Sequence, residues 1–241
     1  LLAALAGCLA AAPATGPALA QARPLRLVVP FPPGGTTDLL GRLIAREMET
    51  TLGQPVVVEN RAGAGATLGS ALVAQAAPDG HVLVMSNSTS HGVSPSVYPQ
   101  IPYDAVRDFT HVALVATSPS LLVVNPGHRA RNLADFLAMA REAGELDFAV
   151  SGIGSSSHLA GVRLGLALGV KVTAVPYRGS GPALTDTIAG VVPAMLDSLP
   201  SAGPHARSGV LRGIAVSSAA RSRVFPDLPT FREGGVDVVS A

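Results

Sequence analysis

Apolar and polar positions alternate between two rhythms along this chain. Leu25–Val29 is a short apolar run bounded by Pro24 and Pro30, the pattern of a buried strand. From Leu39 to Leu52 the spacing changes. Leu40, Leu43, Ile44 and Met48 recur at helical intervals, and Gly53 supplies a stop. "PVVVEN" at 55–60 reads as a second strand, and "TLGSALVAQA" at 67–76 as a helix closed by "APDG". "HVLVMSN" at 81–87 is a third strand that runs into a Ser/Asn loop. Strand and helix in strict alternation predict an α/β layer with a largely parallel sheet.

The middle of the chain, "SPSVYPQIPYDAVRDF", has no period of either kind, and "HVALVATSPSLLVVNP" then offers two strand-like runs. After it the α/β rhythm returns. "NLADFLAMAREAG" is a helix that Asn132 would cap. Next come the strand "LDFAVSG", a helix over 157–168, the strand "KVTAVPY", a helix near 183–189, and the strands "VVPAMLDS" and "LRGIAVSS". The reading is two α/β lobes, 23–121 and 122–217, with 218–241 returning to the first. The crossings are placed near Leu121–Asn125 and Ala215–Ser218.

Composition narrows the function classes. Of the 241 residues 48% are apolar and 14% charged, which excludes a disordered chain. Net charge is +1 and Lys171 is the only lysine, so no basic stripe exists for nucleic acid. Residues 1–22, "LLAALAGCLAAAPATGPALAQA", are uncharged and broken by Pro13 and Pro17, too short a run for a membrane span. They read as a secretory signal with a cleavage site at Ala18–Ala20. "LAGC" at 5–8 offers a competing lipoprotein box with Cys8 as the lipid anchor. Both readings place the protein outside the cytoplasm, with the periplasm expected.

Two strand–helix junctions carry the candidate chemistry. "PFPPGGTTDLL" at 30–40 contains Phe31, Pro33, Gly34, Gly35, Thr36, Thr37 and Asp38. "FAVSGIGSSSHLAG" at 148–161 contains Ser151, Gly154, Ser155, Ser156 and Ser157. A helix N-terminus has unpaired N–H groups and a positive dipole end, and glycine allows a ligand to come close to them. Each junction lies at the carboxyl end of a strand, where open α/β sheets bind ligands. One junction in each lobe suits a small carboxylate held across a cleft. Alternatively each is a plain turn, with Thr37 or Asp38, and Ser156 or Ser157, acting as helix caps.

Other motifs are weak or missing. "GAGATLG" at 63–69 has the wrong spacing for a dinucleotide fingerprint, and neither a phosphate-binding GxxxxGK[ST] loop nor a GxSxG elbow occurs. The six histidines include no HxH or HxxxH pair, so no metal site is expected. No cofactor is expected either. His158 follows the serine run, where it either orients a hydroxyl or caps and packs. The first option gives the rival reading, a secreted serine hydrolase using Ser155, Ser156 or Ser157, although no orienting acid is recognisable. Asp197, at the end of an apolar strand, either points into the cleft or caps the next helix.

From Arg23 onward the chain resembles the Bug-type, TctC-like extracytoplasmic solute receptors of the tripartite tricarboxylate transporter family. The resemblance rests on "RPLRLVVPFPPGGTTDLLGRLIA", "GQPVVVENRAGAGATLGSALVAQAAPDGHVL", "IPYDAVRDFTHVAL", "SGIGSSSHLAG", "VPYRGSGPALTD" and "RSRVFPDLPTFREGG", in that order. It implies a two-lobe periplasmic binding protein of the Venus-flytrap kind, type II-like, closing on a small organic carboxylate. It implies binding largely through backbone groups and ordered waters, without catalysis. It implies a monomer that delivers its ligand to integral membrane transporter subunits. Carried onto this chain, Phe31–Asp38 and Ser151–Ser157 form the two binding turns. Ser86, Asn87, Ser88, Tyr177, Arg178 and Gly179 line the cleft, and Asp197 is a further contact. Family members continue beyond the "PDLPTF" segment, so a C-terminal truncation at Ala241 is also expected.

Overall fold

The structure, a computed structural model, describes residues 23–239. The segment read as an export signal, Cys8 included, lies outside the described residues. The elements form two separate sheets.

In the first lobe β1 (Leu25–Val29), β2 (Val56–Asn60) and β3 (Val82–Val84) pair in the order β2-β1-β3, all parallel. Helix α1 (Thr36–Leu52) connects β1 to β2, α2 (Thr67–Ala74) connects β2 to β3, and the single turn α3 (Ser94–Val97) comes after β3. A parallel pair needs such a crossover, which explains the strand–helix rhythm. Leu25, Leu27, Val29, Ala45, Val56 and Met85 form a small core. Helix α1 lies very close on β1: a Cβ at Gly41 would stand 2.9 Å from Val29 Cγ2. It stops at Gly53, in the left-handed region at φ 65°, whose N–H donates to Glu49 O.

The second lobe has a five-stranded mixed sheet in the order β6-β5-β7-β4-β8. Its strands are β4 (Ser120–Val124), β5 (Glu145–Val150), β6 (Lys171–Pro176), β7 (Ala194–Ser198) and β8 (Arg212–Val216). Strands β5, β6 and β7 are parallel, whereas β4 runs antiparallel to β7 and β8. One core holds α4 (Leu133–Ala143) and α5 (Ser156–Leu168) against the sheet through Phe136, Leu164, Phe148 and Leu196. A second holds α6 (Ser180–Ala189) and α7 (Leu199–Arg207) through Ala183, Leu184, Met195 and Ala202. Burying each large side chain contributes about 1.5–3 kcal/mol. Asn132 caps α4 as expected, accepting from Asp135 N–H at 2.9 Å.

Three expectations need correction. The run "HVALVAT" at 111–117 is not a strand: Val112 and Leu114 are each 82% exposed. A strand needs a partner edge, and this run makes no ladder among the described residues. Leu121, the expected last residue of the first lobe, lies within β4 and pairs with Asp197 and Val216 in the second sheet. The segment after β8 does not return to the first lobe over its described residues. Phe231, Val236 and Val238 are buried in the core under α4, and Phe231 N–H donates to Val216 O at 3.2 Å. Gly234 packs so tightly there that a Cβ would lie 2.6 Å from Leu133 Cδ2. These three side chains follow a polar, proline-broken stretch, and they bury their apolar surface in the same cluster as Leu133, Leu137 and Ile214.

Candidate functional site

The first-lobe turn is shaped by an acid inside it. Asp38, in the first turn of α1, is 2% exposed. Its Oδ2 accepts from Gly34 N–H at 3.0 Å and from Arg42 Nε at 3.1 Å, and its Oδ1 accepts from Asn60 Nδ2 at 2.9 Å. Asn60 Nδ2 also donates to Phe31 O at 3.0 Å. Burial opposes the charge on Asp38, but the bonds from Arg42, Asn60 and Gly34 outweigh it and hold its pKa below the ordinary aspartate value. Asp38 therefore fastens the turn, its carboxylate engaged by the protein's own donors. Phe31 packs against the first-lobe core. Gly34 sits at φ 87°, a conformation that favours glycine. Gly35 occupies the N-cap position of α1 in extended backbone, and no side chain caps the helix. Its first-turn N–H groups face outward without a side-chain acceptor, as an anion site requires.

The second-lobe junction differs. Ser155 caps α5, its Oγ accepting from His158 N–H at 3.2 Å. Ser157 Oγ accepts from Ser151 N–H at 2.8 Å and lies 2.9 Å from the Oγ atoms of both Ser151 and Ser155. Gly154 N–H donates to His158 Nδ1 at 3.1 Å. Ser155 and Ser157 are buried, and Ser156 is exposed. The serine run is thus a self-satisfied turn, with His158 a cap on the loop. No ring nitrogen of His158 meets a serine hydroxyl, which removes the geometry of the hydrolase reading.

A third helix end faces α1 instead; its Gly179 was expected in the cleft lining, but not as the start of an uncapped helix. Helix α6 starts at Ser180 behind Gly179, without a side-chain cap. Gly179, at φ 149°, is so near the first lobe that a Cβ would lie 2.6 Å from Pro32 Cγ. A Cβ at Gly181 would lie 3.0 Å from Pro33 O, and one at Gly35 would stand 3.6 Å from Ser180 Cβ. The bare N-termini of α1 and α6 therefore meet across the lobes. The signal was present in "YRGSGPA", whose two glycines flank a serine before a proline-containing helix start. At another point of approach, a Cβ at Gly154 would lie 3.4 Å from Val93 Cγ1.

The remaining expected residues divide. Asn87 caps a π-helical turn, Ser88–Val93, accepting from Thr89 and Ser90 N–H at 3.0 and 3.2 Å. Its Nδ2 donates to Thr37 Oγ1 at 3.2 Å, tying this loop to α1. Ser86 and Ser88 are exposed beside it. Tyr177 turns its ring toward the second-lobe core, and its hydroxyl donates to Asp186 Oδ2 at 2.7 Å. Burial, together with that bond and the neighbouring Asp186 charge, pushes its pKa up to about 12. Arg178 is exposed. Asp197 does not reach the cleft surface: it is 3% exposed, accepts from Ser180 Oγ at 2.8 Å and from Ser201 Oγ, and burial pushes its pKa up. No His, Cys, Asp or Glu cluster among the described residues has the arrangement of a metal site, and no helix there is long and apolar enough to cross a membrane.

Comparison with known proteins places this geometry. The chain is 42% identical over 216 residues to protein BugT of Bordetella pertussis, covering 89% of this chain and 66% of that protein. It is 45% identical over 212 residues to a protein of Pseudomonas sp. strain P51 encoded in the tcbD-tcbE intergenic region, covering 88% of this chain and 63% of that one. The chain thus spans about two thirds of the length of these relatives. Among solved structures it superposes on R. palustris Rpa4515 with adipate at TM-score 0.88 and 37% identity, covering 91% of this chain and 74% of the other. MatC from Rhodopseudomonas palustris with bound malate gives 0.84 and 38%, covering 91% and 75%. The periplasmic binding protein BugD gives 0.82 and 34%, covering 89% and 72%. The fold is the two-lobe α/β fold of periplasmic binding proteins. The family profile described as "Tripartite tricarboxylate transporter family receptor" matches residues 40–241, and with these identities the chain belongs to that receptor family.

Proposed function

We propose that this chain is the ligand-binding part of a periplasmic receptor that closes on a small organic acid and delivers it, without chemical conversion, to a membrane transporter. The observation carrying this reading is the pair of uncapped helix N-termini, α1 and α6, brought face to face by glycines at the lobe junction. Such ends offer hydrogen-bond donors and positive potential, so the ligand carries at least one ionised carboxylate. The cleft residues on this reading are Gly35, Thr36, Ser86, Ser88, Ser151 and Arg178. Adipate and malate in the related R. palustris proteins support the class. The protein acts as a monomer after export, and ligand binding shifts the lobes toward the closed state.

The test is a thermal-shift and calorimetric screen with malate, adipate and their amides. An acid at a hundredfold excess over its Kd stabilises the folded state by about 2.7 kcal/mol. That corresponds to a rise of roughly 5–11 °C for a chain of this size. The amides give far less. Stabilisation by neutral sugars, with none from any acid, overturns the proposal. Turnover of an ester panel would restore the hydrolase.

A further inference from the structure

Asp197 is a buried acid that stands where three helices from two lobes begin. It is the next-to-last residue of β7 and 3% exposed. On one side Ser180, the first residue of α6, donates from Oγ to Asp197 Oδ1 at 2.8 Å. On the other, Ser201 in the first turn of α7, also 3% exposed, donates from Oγ to Asp197 Oδ2. Ser201 Oγ in turn accepts from Thr36 Oγ1 at 3.0 Å, and Thr36 is the first residue of α1 in the other lobe. An unbroken hydrogen-bonded path therefore runs Thr36–Ser201–Asp197–Ser180 from lobe to lobe.

The chemistry of the groups fixes its direction. A carboxylate only accepts, and each serine has one hydroxyl proton. Ser201 Oγ also lies 3.0 Å from Ser198 O, but its shorter contact is with Asp197, and whichever of these oxygens takes its one proton, a lone pair of Ser201 is left facing the first lobe, to which the Thr36 hydroxyl donates. The path lies among the close approaches of the two lobes, Gly35 against Ser180, Pro32 against Gly179 and Pro33 against Gly181. We infer that Asp197 is a positioning residue for lobe closure: it orients Ser201 as a fixed acceptor that latches Thr36 of the opposite lobe. This builds on the receptor reading, because closure is what captures the ligand there, but the latch is testable without any ligand.

The experiment places spin labels on exposed positions of the two lobes, Arg46→Cys and Lys171→Cys, in a Cys8→Ser background of the full chain. Pulsed EPR then gives the interlobe distance distribution with no ligand and with excess malate. The variants are Thr36→Val, which keeps shape and loses the hydroxyl, Thr36→Ser, which keeps the hydroxyl, and Asp197→Asn, which puts donors on one side of a site that only accepts. The unsubstituted protein and Thr36→Ser should share a short-distance population. Thr36→Val and Asp197→Asn should lower the ratio of short to long distances by about fivefold, the effect of losing one ordinary hydrogen bond. A merely structural role for Thr36 would change melting without redistributing distances. Identical ligand-free distributions for the unsubstituted protein and Thr36→Val overturn the inference. So does equal loss in Thr36→Ser, or an Asp197→Asn protein that matches the unsubstituted one. An unsubstituted protein with no short population does the same. If Asp197→Asn does not fold, the comparison of Val with Ser at position 36 decides. Malate that leaves every distribution unchanged counts against malate as ligand, while the ligand-free comparison still judges the latch.

Discussion

Gly181→Ala should move stability and affinity in opposite directions. Gly181 is the second residue of α6 and has ordinary helical backbone, which alanine also adopts, although the ring of the following Pro182 crowds a Cβ there and trims the gain. Replacing a helical glycine by alanine stabilises by up to about 1 kcal/mol, and near a helix end about half of that is reasonable. The ligand-free melting temperature should then rise by about 1–2 °C. The added methyl, however, would sit 3.0 Å from Pro33 O in the opposite lobe, a backbone atom that cannot rotate away. Closure must back off by a few tenths of an ångström, at the lower end of overpacking costs, about 1 kcal/mol. Ligand affinity should therefore fall about fivefold. Calorimetric melts without ligand and titration with whichever of malate or adipate binds measure the two terms. A variant that melts higher and binds as tightly as the original would show that closure does not bring these two backbones together. A variant that loses stability and affinity in parallel would point to a damaged helix, not to an obstructed interface.

Four further outcomes follow from the same geometry. Gly35→Ala should leave the ligand-free melt within about 1 °C, because its Cβ meets Ser180 at an ordinary 3.6 Å, whereas Gly154→Ala, at φ 77°, should cost about 1 kcal/mol before any ligand is added. Asp38→Asn should lower stability by about 2 kcal/mol, roughly 4–8 °C by circular dichroism, since the Arg42 and Gly34 donors lose a charged acceptor. Glu59, hydrogen-bonded by Arg26 and then Arg61 against the opposing effect of burial, has its pKa lowered from 4.5 to about 2. Its folded pKa is the lower one, so its stabilisation is present above about 4.5 and fades as pH falls toward about 2; the urea-midpoint gap to Glu59→Gln, about 1 kcal/mol after solvent screening, should close over that window. Tyr177→Phe should cost about 1 kcal/mol in the ligand-free melt by leaving Asp186 without its phenol donor, with no change in which acids bind.

The local rhythm of the chain determined most of its elements. Apolar runs such as Leu25–Val29 and the spaced Leu40, Leu43, Ile44 and Met48 are read by nearest neighbours, and so are stops such as Gly53 and caps such as Asn132. The two glycine junctions were legible for the same reason, since a strand end, a turn and a helix start are consecutive in sequence. Only the tertiary structure decided which of their groups remained available. Ser155, Ser157 and Gly154 looked like donors for a ligand, but they are spent on one another and on His158 within a single turn. Asp38 looked like a cleft residue and instead buries itself against Asn60, a contact made by a parallel pairing 22 residues away. The uncapped start of α6 gained its meaning from Pro32 and Pro33, nearly 150 residues earlier in the chain, and Asp197 gained its meaning from Thr36 through Ser201. Segment 111–117 has strand composition and forms no strand, while Phe231, Val236 and Val238 bury themselves in the second lobe. Periodicity reports which face of a segment is apolar. What covers that face, and which polar atoms are left over when it is covered, depends on residues that meet only after the chain has folded.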